Sequence, residues 1–508
     1  MRITAVSVVR LFLSLLLSVP ALANEPEFRL IEAVKQNDQD AVRALLETRI
    51  DVNLPQPDGA TALHWAVYLD NIETSVLLID AGAVVGATNE LGVTPLYLAC
   101  ENGNTVLVRK LLSAGAAPDA TLPSGETVLM TAALTGSVGA VSALLTHGAE
   151  VQTTEHMEGQ TALMWAASQK HPGVVKALIE AGADVQARSH VRPVVTSRSG
   201  SVRLANSSAA SVIDEGGFTP LLFAARSGDI VSARLLLAAG ADANDTAPSG
   251  TSALVVAAHS GHGALAALLL DAGADANAAD AGYGPLHAAV LRSDTDLVRS
   301  LLAHGANPNV GLTQGTEHAR QGKLYALDAQ WVGATPFFLA AKYGLDDIMR
   351  LLANAGADPL AGIEGGTTPL MVAAGMLTRG FGRTGTDRWG REMDSAEMEL
   401  AVRQDPDHRS VMGSGINAVK VAVDLGADVN ATSRSGDTAL HLAAFHGFKT
   451  VVRYLVSKGA RLDVKNEGGE TPLGFAMRAR APARMSNSLV DYTDMSTADL
   501  LRELGAVE

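Results

Sequence analysis

The chain has 508 residues, of which 47% are hydrophobic but only 4% aromatic, and its formal net charge is −15. This length exceeds what one compact core usually supports, so the chain is either several domains or one extended repeat array. The net negative charge argues against nucleic acid and anionic membranes as partners, because it would repel their phosphates.

The first predicted element is a secretory signal peptide at residues 1–23. Arg2 and Arg10 precede an apolar run from Leu11 to Val19, and residues 1–23 contain no acid. The small-x-small sequence Ala21-Leu22-Ala23 then supplies a cleavage site. The run is too short to span a bilayer as a stable anchor. We therefore expect an exported protein without membrane insertion, located in the periplasm or, alternatively, secreted outside the cell.

A unit of about 33 residues then recurs along the chain. Its end is marked by Gly-Ala pairs, most of them 32 to 34 residues apart, which begin at positions 82, 115, 148, 182, 240, 273, 305, 356, 426, 459 and 505. An apolar run with helical spacing precedes each pair, and the glycine is expected to end that helix in the left-handed conformation. Each unit also has an earlier anchor, such as Thr94-Pro95-Leu96, that begins a first helix, because Thr caps free N–H groups and Pro fits the first turn.

This period, together with anchors such as Thr94-Pro95-Leu96-Tyr97-Leu98-Ala99, resembles the ankyrin-repeat family. Counting a degenerate capping unit at 28–53, we find about twelve units, with anchors at Thr61, Thr94, Thr127, Thr161, Thr219, Ser252, Gly284, Thr335, Thr368, Thr438 and Thr471. The resemblance implies an all-α ankyrin-repeat solenoid of helix-turn-helix units with short finger turns. It further implies a monomeric scaffold, here an exported bacterial one, that binds a protein partner through a concave groove.

Four insertions interrupt the period. Two fall in finger turns, at 188–215 and 310–332, and two follow the first helix of their unit, at 378–413 and 481–495. The first contains Arg188, Arg192, Arg198 and Arg203 and is interpreted as a flexible basic loop. The predicted organisation is therefore repeats at 24–377, an insertion at 378–413 and C-terminal repeats at 414–508. We expect the stack to separate at this third insertion.

No catalytic, metal or cofactor site is predicted, and we do not expect an enzyme. The GxGxxG match from Gly380 to Gly385 follows a helix rather than a strand, so it is interpreted as a mobile loop and not a dinucleotide site. His259 and His262 lack a third metal ligand nearby. The remaining alternatives are a secreted effector that acts on host proteins, and a small-ligand binder or enzyme that uses the 378–413 insertion.

Four side chains close to helix anchors are the candidate partner-binding residues: Val93, Phe218, Tyr283 and Trp331. The ankyrin resemblance places the residue before each anchor at a finger tip that faces the groove. Exposed aromatic side chains near a groove are enriched at binding hot spots. We therefore predict a partner site from Phe218 to Trp331, and we expect alanine at its three aromatic positions to weaken partner capture without changing the melting curve.

Overall fold

The computed structural model describes residues 28–197, 210–314, 331–375, 416–478 and 496–507. The predicted signal peptide and the Gly380 to Gly385 loop lie outside these described residues. Among the residues that are described, no helix is both long and apolar enough to cross a membrane.

The described chain is built mainly from short helices arranged in antiparallel pairs, which confirms the predicted all-α repeat fold. The helices are α1 Arg29–Lys35, α2 Gln39–Glu47, α3 Ala62–Tyr68, α4 Ile72–Asp80, α5 Pro95–Glu101, α6 Thr105–Ser113, α7 Val128–Thr135, α8 Val138–Thr146, α9 Ala162–Ser168, α10 Pro172–Glu180, α11 Pro220–Ser227, α12 Ile230–Ala238, α13 Ala253–Ser260, α14 Gly263–Asp271, α15 Pro285–Leu291, α16 Thr295–Ala303, α17 Pro336–Lys342, α18 Asp346–Asn354, α19 Pro369–Gly375, α20 at 416–424, α21 Ala439–Phe445, α22 Lys449–Ser457, α23 Pro472–Arg478 and α24 Thr497–Glu503.

One unit shows how the sequence produces this pairing. The hydroxyl of Thr94 accepts a hydrogen bond from the backbone N–H of Tyr97 at 3.1 Å, and Pro95 occupies the first turn of α5. Asn104 caps α6 in the same way. Gly115 follows α6 with a φ of +96°, a left-handed conformation that only glycine adopts without strain. The predicted start and stop signals therefore act where they were expected.

The chain divides into two compact units. Unit 1 comprises residues 1–192 and 214–248, and unit 2 comprises residues 193–213 and 249–508. The boundary after Pro248 falls in a finger turn, between α12 and α13. The prediction that the stack separates at the third insertion is therefore wrong.

Unit 2 is continuous through the third insertion because the repeats on its two sides remain in direct contact. Helix α19 packs against α21. In the neighbouring fingers, the backbone N–H of Arg434 donates to the carbonyl of Gly365 at 2.7 Å. Gly375 at the end of α19 is buried against Leu442, so closely that a Cβ on Gly375 would lie 2.4 Å from the Cβ of Leu442.

We expect Gly375→Ala to lower the free energy of unfolding of unit 2 by about 1 kcal/mol or more, because Leu442 and its helix must shift to make room. Urea denaturation of the full chain measures this. The matched control is Gly474→Ala in α23, where the added Cβ meets only ordinary contacts of 3.8 Å. Alanine favours a helix more than glycine does, so this control should be neutral or stabilising. A stabilising Gly375→Ala would contradict the close packing.

The two finger insertions leave the spacing of the repeats unchanged. In an uninterrupted pair, the side-chain amide of Asn430 donates to the carbonyl of Gly459 at 3.0 Å. The same bond joins Gln186 to Gly240 at 3.2 Å across the first insertion, and Asn309 to Gly356 at 2.9 Å across the second. The repeats on the two sides of each insertion are therefore joined as in an uninterrupted pair.

The first insertion is structured at both ends, so its interpretation as a flexible loop is wrong for these residues. Strands β1 Val191–Ser197 and β2 Ala210–Gly216 pair in a two-stranded sheet. Arg188 forms an ion pair with Asp245, and Arg192 forms one with Glu158 at 3.1 Å. Two of the four arginines are therefore bound internally, while Arg198 and Arg203 lie outside the described residues.

Candidate protein-binding surface

A buried histidine bridges successive repeats at three places. The Nε2 atoms of His64, His287 and His441 lie 3.1, 3.2 and 3.1 Å from backbone carbonyl oxygens of the next finger. In each case Nδ1 accepts from the backbone N–H of the anchor residue, at 3.1 to 3.2 Å. Nε2 must therefore carry the proton and donate it. All three histidines therefore hydrogen-bond the turn of the neighbouring repeat.

Burial keeps these imidazoles neutral. It lowers the pKa of His287 to about 4, and it also lowers the pKa values of His64 and His441. The hydrogen bonds to backbone carbonyls oppose this shift but do not cancel it. The histidines therefore connect the repeats as neutral donors.

The surface beside these bridges is formed by four positions of each repeat, which we call the inner face: the residue before the anchor and the fourth, seventh and eighth residues after it. The repeat anchored at Thr219 shows that these positions share one surface. The rings of Phe218 and Phe223 are 5.8 Å apart, and the Arg226 guanidinium lies 5.5 Å and 5.1 Å from them. Arg226 is exposed, so a partner can reach this cluster.

The four predicted partner-binding residues occupy different environments. Phe218 and Tyr283 are half-buried on the inner face, in unit 1 and unit 2 respectively. Val93 is fully buried, and Trp331 is only 7% exposed. The expected exposure at a finger tip is therefore wrong for Val93 and Trp331, whereas binding by Phe218 and Tyr283 stays a prediction.

Trp331 is buried because it does not occupy the position that the sequence assigned to it. Ala334 is the residue directly before the anchor Thr335, and Trp331 lies three residues earlier. Its ring packs at 6.0 Å from Phe338, with the Lys342 ammonium 4.5 Å away on its surface. Val93 is buried in the same position that Ala334 occupies, where small aliphatic side chains complete the stack.

Unit 1 carries a buried carboxylate on its inner face that the sequence did not identify. The hydroxyl of Tyr97 donates to Glu126 at 3.0 Å, and Thr131 donates to the same oxygen at 3.2 Å. Glu126 is 3% exposed, and burial raises its pKa despite both hydrogen bonds. Glu101 is buried nearby on the same face. Tyr97 is the sequence signal that could have identified this carboxylate. It stands where other repeats have the bridging histidine, and its hydroxyl bonds the Glu126 side chain of the next finger instead of a backbone carbonyl.

Trp65 in unit 1 packs inside the stack. Its ring is fully buried, its Nε1 donates to Gln56 at 2.7 Å, and the ammonium of Lys35 lies 4.4 Å from the ring. Trp165 at the equivalent position is half-buried. These tryptophans thus contribute to packing between repeats.

The C-terminal inner face of unit 2 is aromatic. Phe445 is 40% exposed, and its ring lies 6.0 Å from that of Phe475. The guanidinium of Arg478 lies 4.8 Å from the Phe475 ring and forms an ion pair with Glu470 at 3.0 Å. An apolar side chain of a partner can therefore pack against Phe445 beside a neutralised charge pair.

The described part of the chain offers little that resembles a reaction centre. It contains no group of three or more His, Cys, Asp or Glu side chains that could hold a metal ion. Cys100 is fully buried, and burial raises the pKa of its thiol, which makes it unreactive. His259 is half-buried, and its pKa is lowered to about 4 by desolvation and by the nearby Arg292.

The repeat can now be assigned to a family. The family described as "Ankyrin repeats (3 copies)" matches residues 30–122, 96–189, 199–280, 221–312 and 408–497, and "Ankyrin repeat" matches residues 332–362. These segments cover more than half of the sequence. The chain therefore belongs to the ankyrin-repeat proteins.

Several curated proteins are similar to parts of the chain. The B-cell lymphoma 3 protein homolog of Mus musculus is 30% identical over 200 residues, which cover 39% of this chain and 40% of that protein. Human ankyrin repeat and SOCS box protein 16 is 29% identical over 214 residues, or 40% of this chain and 42% of that protein. Human protein phosphatase 1 regulatory subunit 27 is 37% identical over 65 residues, which cover 13% of this chain and 42% of that protein. The chain thus spans about two-fifths of the length of each relative.

Proposed function

We propose that this protein is an exported, monomeric scaffold that binds a protein partner through the inner faces and finger turns of its repeats. The observation that carries the proposal is the exposure of large side chains on rigid inner helices. Phe445, Tyr343 and Leu69 are 40%, 38% and 37% exposed, although each lies beside a well-packed core. Each therefore leaves more than a third of its surface open to a partner.

The inner face has the composition that protein interfaces favour. Aromatic side chains and arginine are enriched at interface hot spots, because they bury a large area with few rotatable bonds. The clusters around Phe223, Arg226 and Phe445 have this composition. Because they lie on paired helices, a partner orders few additional side chains when it binds. A relative named as a regulatory subunit of protein phosphatase 1 supports a binding role rather than a catalytic one.

We expect the double variant Phe218→Ala and Phe445→Ala to weaken partner binding at least tenfold, because each change removes an accessible ring from the inner face. The partner is isolated by affinity capture on the full chain, and its dissociation constant is then measured by calorimetry. The matched control is Val106→Ser, which removes a 52% exposed apolar side chain from an outer helix. Equal loss in variant and control, or no loss in either, would contradict the proposal.

Export is supported by the sequence of residues 1–23. The single cysteine is compatible with it, because a chain without an intramolecular disulfide does not depend on the redox state of its compartment. We expect cell fractionation to recover a mature chain that begins at Asn24 in the periplasm, as identified by mass spectrometry. Aspartate at two leucines of the Leu11 to Val19 run should leave the uncleaved chain in the cytoplasm. If the wild-type chain is recovered uncleaved in the cytoplasm, the proposal of export is overturned. If it is recovered in the medium, the protein is secreted outside the cell rather than retained in the periplasm.

A further inference from the structure

Lys342 lies between two aromatic rings on the inner face of unit 2. Its ammonium nitrogen is 4.5 Å from the ring centroid of Trp331 and 4.4 Å from that of Tyr343, and it donates to the Tyr343 hydroxyl at 3.0 Å. The rings stabilise the position of the cation but do not neutralise its charge. Its contacts among the described residues are these rings and this hydroxyl rather than a carboxylate. We call Trp331, Lys342 and Tyr343 the Lys342 patch.

The described inner-face positions around the Lys342 patch carry no acid, although the chain as a whole is acidic. In the four repeats anchored at Ser252, Gly284, Thr335 and Thr368, every described inner-face position is neutral or basic: Thr251, Val256, His259, Ser260, Tyr283, Ala288, Leu291, Arg292, Ala334, Leu339, Lys342, Tyr343, Thr367, Val372 and Gly375. By contrast, the inner face of unit 1 includes the buried acids Glu101 and Glu126. These four repeats of unit 2 therefore differ from the Thr94 and Thr127 repeats of unit 1, whereas the Thr219 repeat, with Arg226, also lacks an acid on its inner face.

A second fixed cation lies one repeat away from the Lys342 patch. Arg292 occupies the inner-face position that Tyr343 occupies in the next repeat, and its Nε donates to the carbonyl of His259 at 2.5 Å. The guanidinium stays charged at every physiological pH. His259 itself stays neutral, because burial lowers its pKa to about 4. Arg292 thus adds a positive charge whose position is held by the end of α13.

We infer that this surface binds an acidic, extended segment of the partner protein, with one carboxylate on Lys342 and another on Arg292. The inference rests on the proposed function and specifies the chemistry of the partner. Neighbouring helices lie about 8 to 10 Å apart, and an extended chain advances about 3.3 Å per residue. The two acids should therefore be about three residues apart. Tyr343, which is 38% exposed, offers a ring for the residue between them.

The first experiment uses defined peptides and the full chain. A fluorescein-labelled twelve-residue peptide with Glu at every third position and Gly or Ser between is titrated with the protein, and its anisotropy is measured at low salt. We expect binding that weakens at least tenfold when Gln or Lys replaces Glu. Equal binding of the Gln or Lys peptide would overturn the inference.

Variants at Lys342 test the patch itself. Lys342→Met keeps the aliphatic stem that covers Trp331 but removes the charge, and Lys342→Glu inverts it. We expect Lys342→Met to lower the affinity for the Glu peptide about tenfold, and Lys342→Glu to lower it more than tenfold. These losses match the contribution of a desolvated ion pair. The matched control is Lys458→Met, since Lys458 also lies over a tyrosine ring, that of Tyr454 at 5.5 Å, but on an outer helix. Affinity that Lys342→Met leaves unchanged would overturn the inference even if the protein melts normally.

A cross-linking experiment separates this inference from the proposed function. A photoreactive phenylalanine at position 343 or at position 445 of the full chain is activated in the presence of the captured partner, and the joined peptides are sequenced. An acidic segment at position 343 supports the inference. A neutral or basic segment there overturns it but leaves the proposed function intact. No cross-link to the partner at either position contradicts both.

Discussion

Lowering the pH from 7 to 4.5 should reduce the free energy of unfolding of unit 2 by roughly 2 to 3 kcal/mol through His287 alone. Its pKa is about 4 in the folded chain and 6.5 when unfolded, and each unit of difference corresponds to about 1.4 kcal/mol. Because the folded pKa is lowered, the stabilisation is fully present above pH 6.5 and is lost as the pH falls towards 4. Protonation would also oppose the acceptance by Nδ1 of the N–H of Gly284.

Urea denaturation at several pH values, followed by hydrogen exchange in α15, measures this dependence within unit 2. The variant His287→Gln should unfold with a smaller pH dependence in this range, whatever its stability at pH 7. The exposed His304 at the C-cap of α16 provides a second variant, His304→Gln, which tests whether the effect is particular to the buried His287. If His287→Gln and the wild type lose stability in parallel between pH 6.5 and 4.5, the buried neutral imidazole is not the cause.

Replacing Tyr97 by phenylalanine should cost unit 1 about 1 to 3 kcal/mol, because the buried Glu126 then loses the stronger of its two hydrogen bonds. The raised pKa of Glu126 means that its stabilising, protonated form is complete at low pH and is lost as the pH rises through the folded value. The Tyr97 hydrogen bond favours the ionised form of Glu126, so the cost of Tyr97→Phe should increase with pH as this form becomes populated. The contribution of Glu126 to the stability of unit 1 thus decreases as the pH rises, whereas that of His287 to unit 2 increases.

The second variant that tests the Tyr97 prediction is Glu126→Gln, which keeps an acceptor for Tyr97 but removes the buried charge. A double-mutant cycle should show that Tyr97→Phe costs less in the Glu126→Gln background. The matched control is Tyr454→Phe on an outer helix of unit 2, which should be nearly neutral. Additive effects of the two changes would show that Tyr97 does not act through Glu126.

Most of the fold could be predicted from the sequence, because the signals that determine it are local. Thr94 and Gly115 begin and end helices through their own backbone and hydroxyl chemistry, and the same signals recur in each unit. The boundary after Pro248 and the continuity through Gly375 could not be predicted. They depend on contacts between residues far apart in the chain, such as Gly375 with Leu442.

The candidate surface was harder to predict than the fold. Alignment on the anchor placed Phe218 and Tyr283 on the inner face, but the insertion before Thr335 shifted Trp331 to a buried position. Selection by aromatic character also missed Glu126 and Lys342, because the environment of a charge depends on neighbouring repeats. The period of the sequence identifies a surface position, whereas burial and charge balance come from the packed stack.

The hydrogen bonds from Gln186 to Gly240 and from Asn309 to Gly356 join the repeats that flank the two finger insertions. Segments of very different length and composition are therefore exchangeable at these two places without realignment of the helices. A lineage of such proteins can acquire a new ligand by changing one inserted segment, and an engineer can graft a foreign peptide there for display on the same framework.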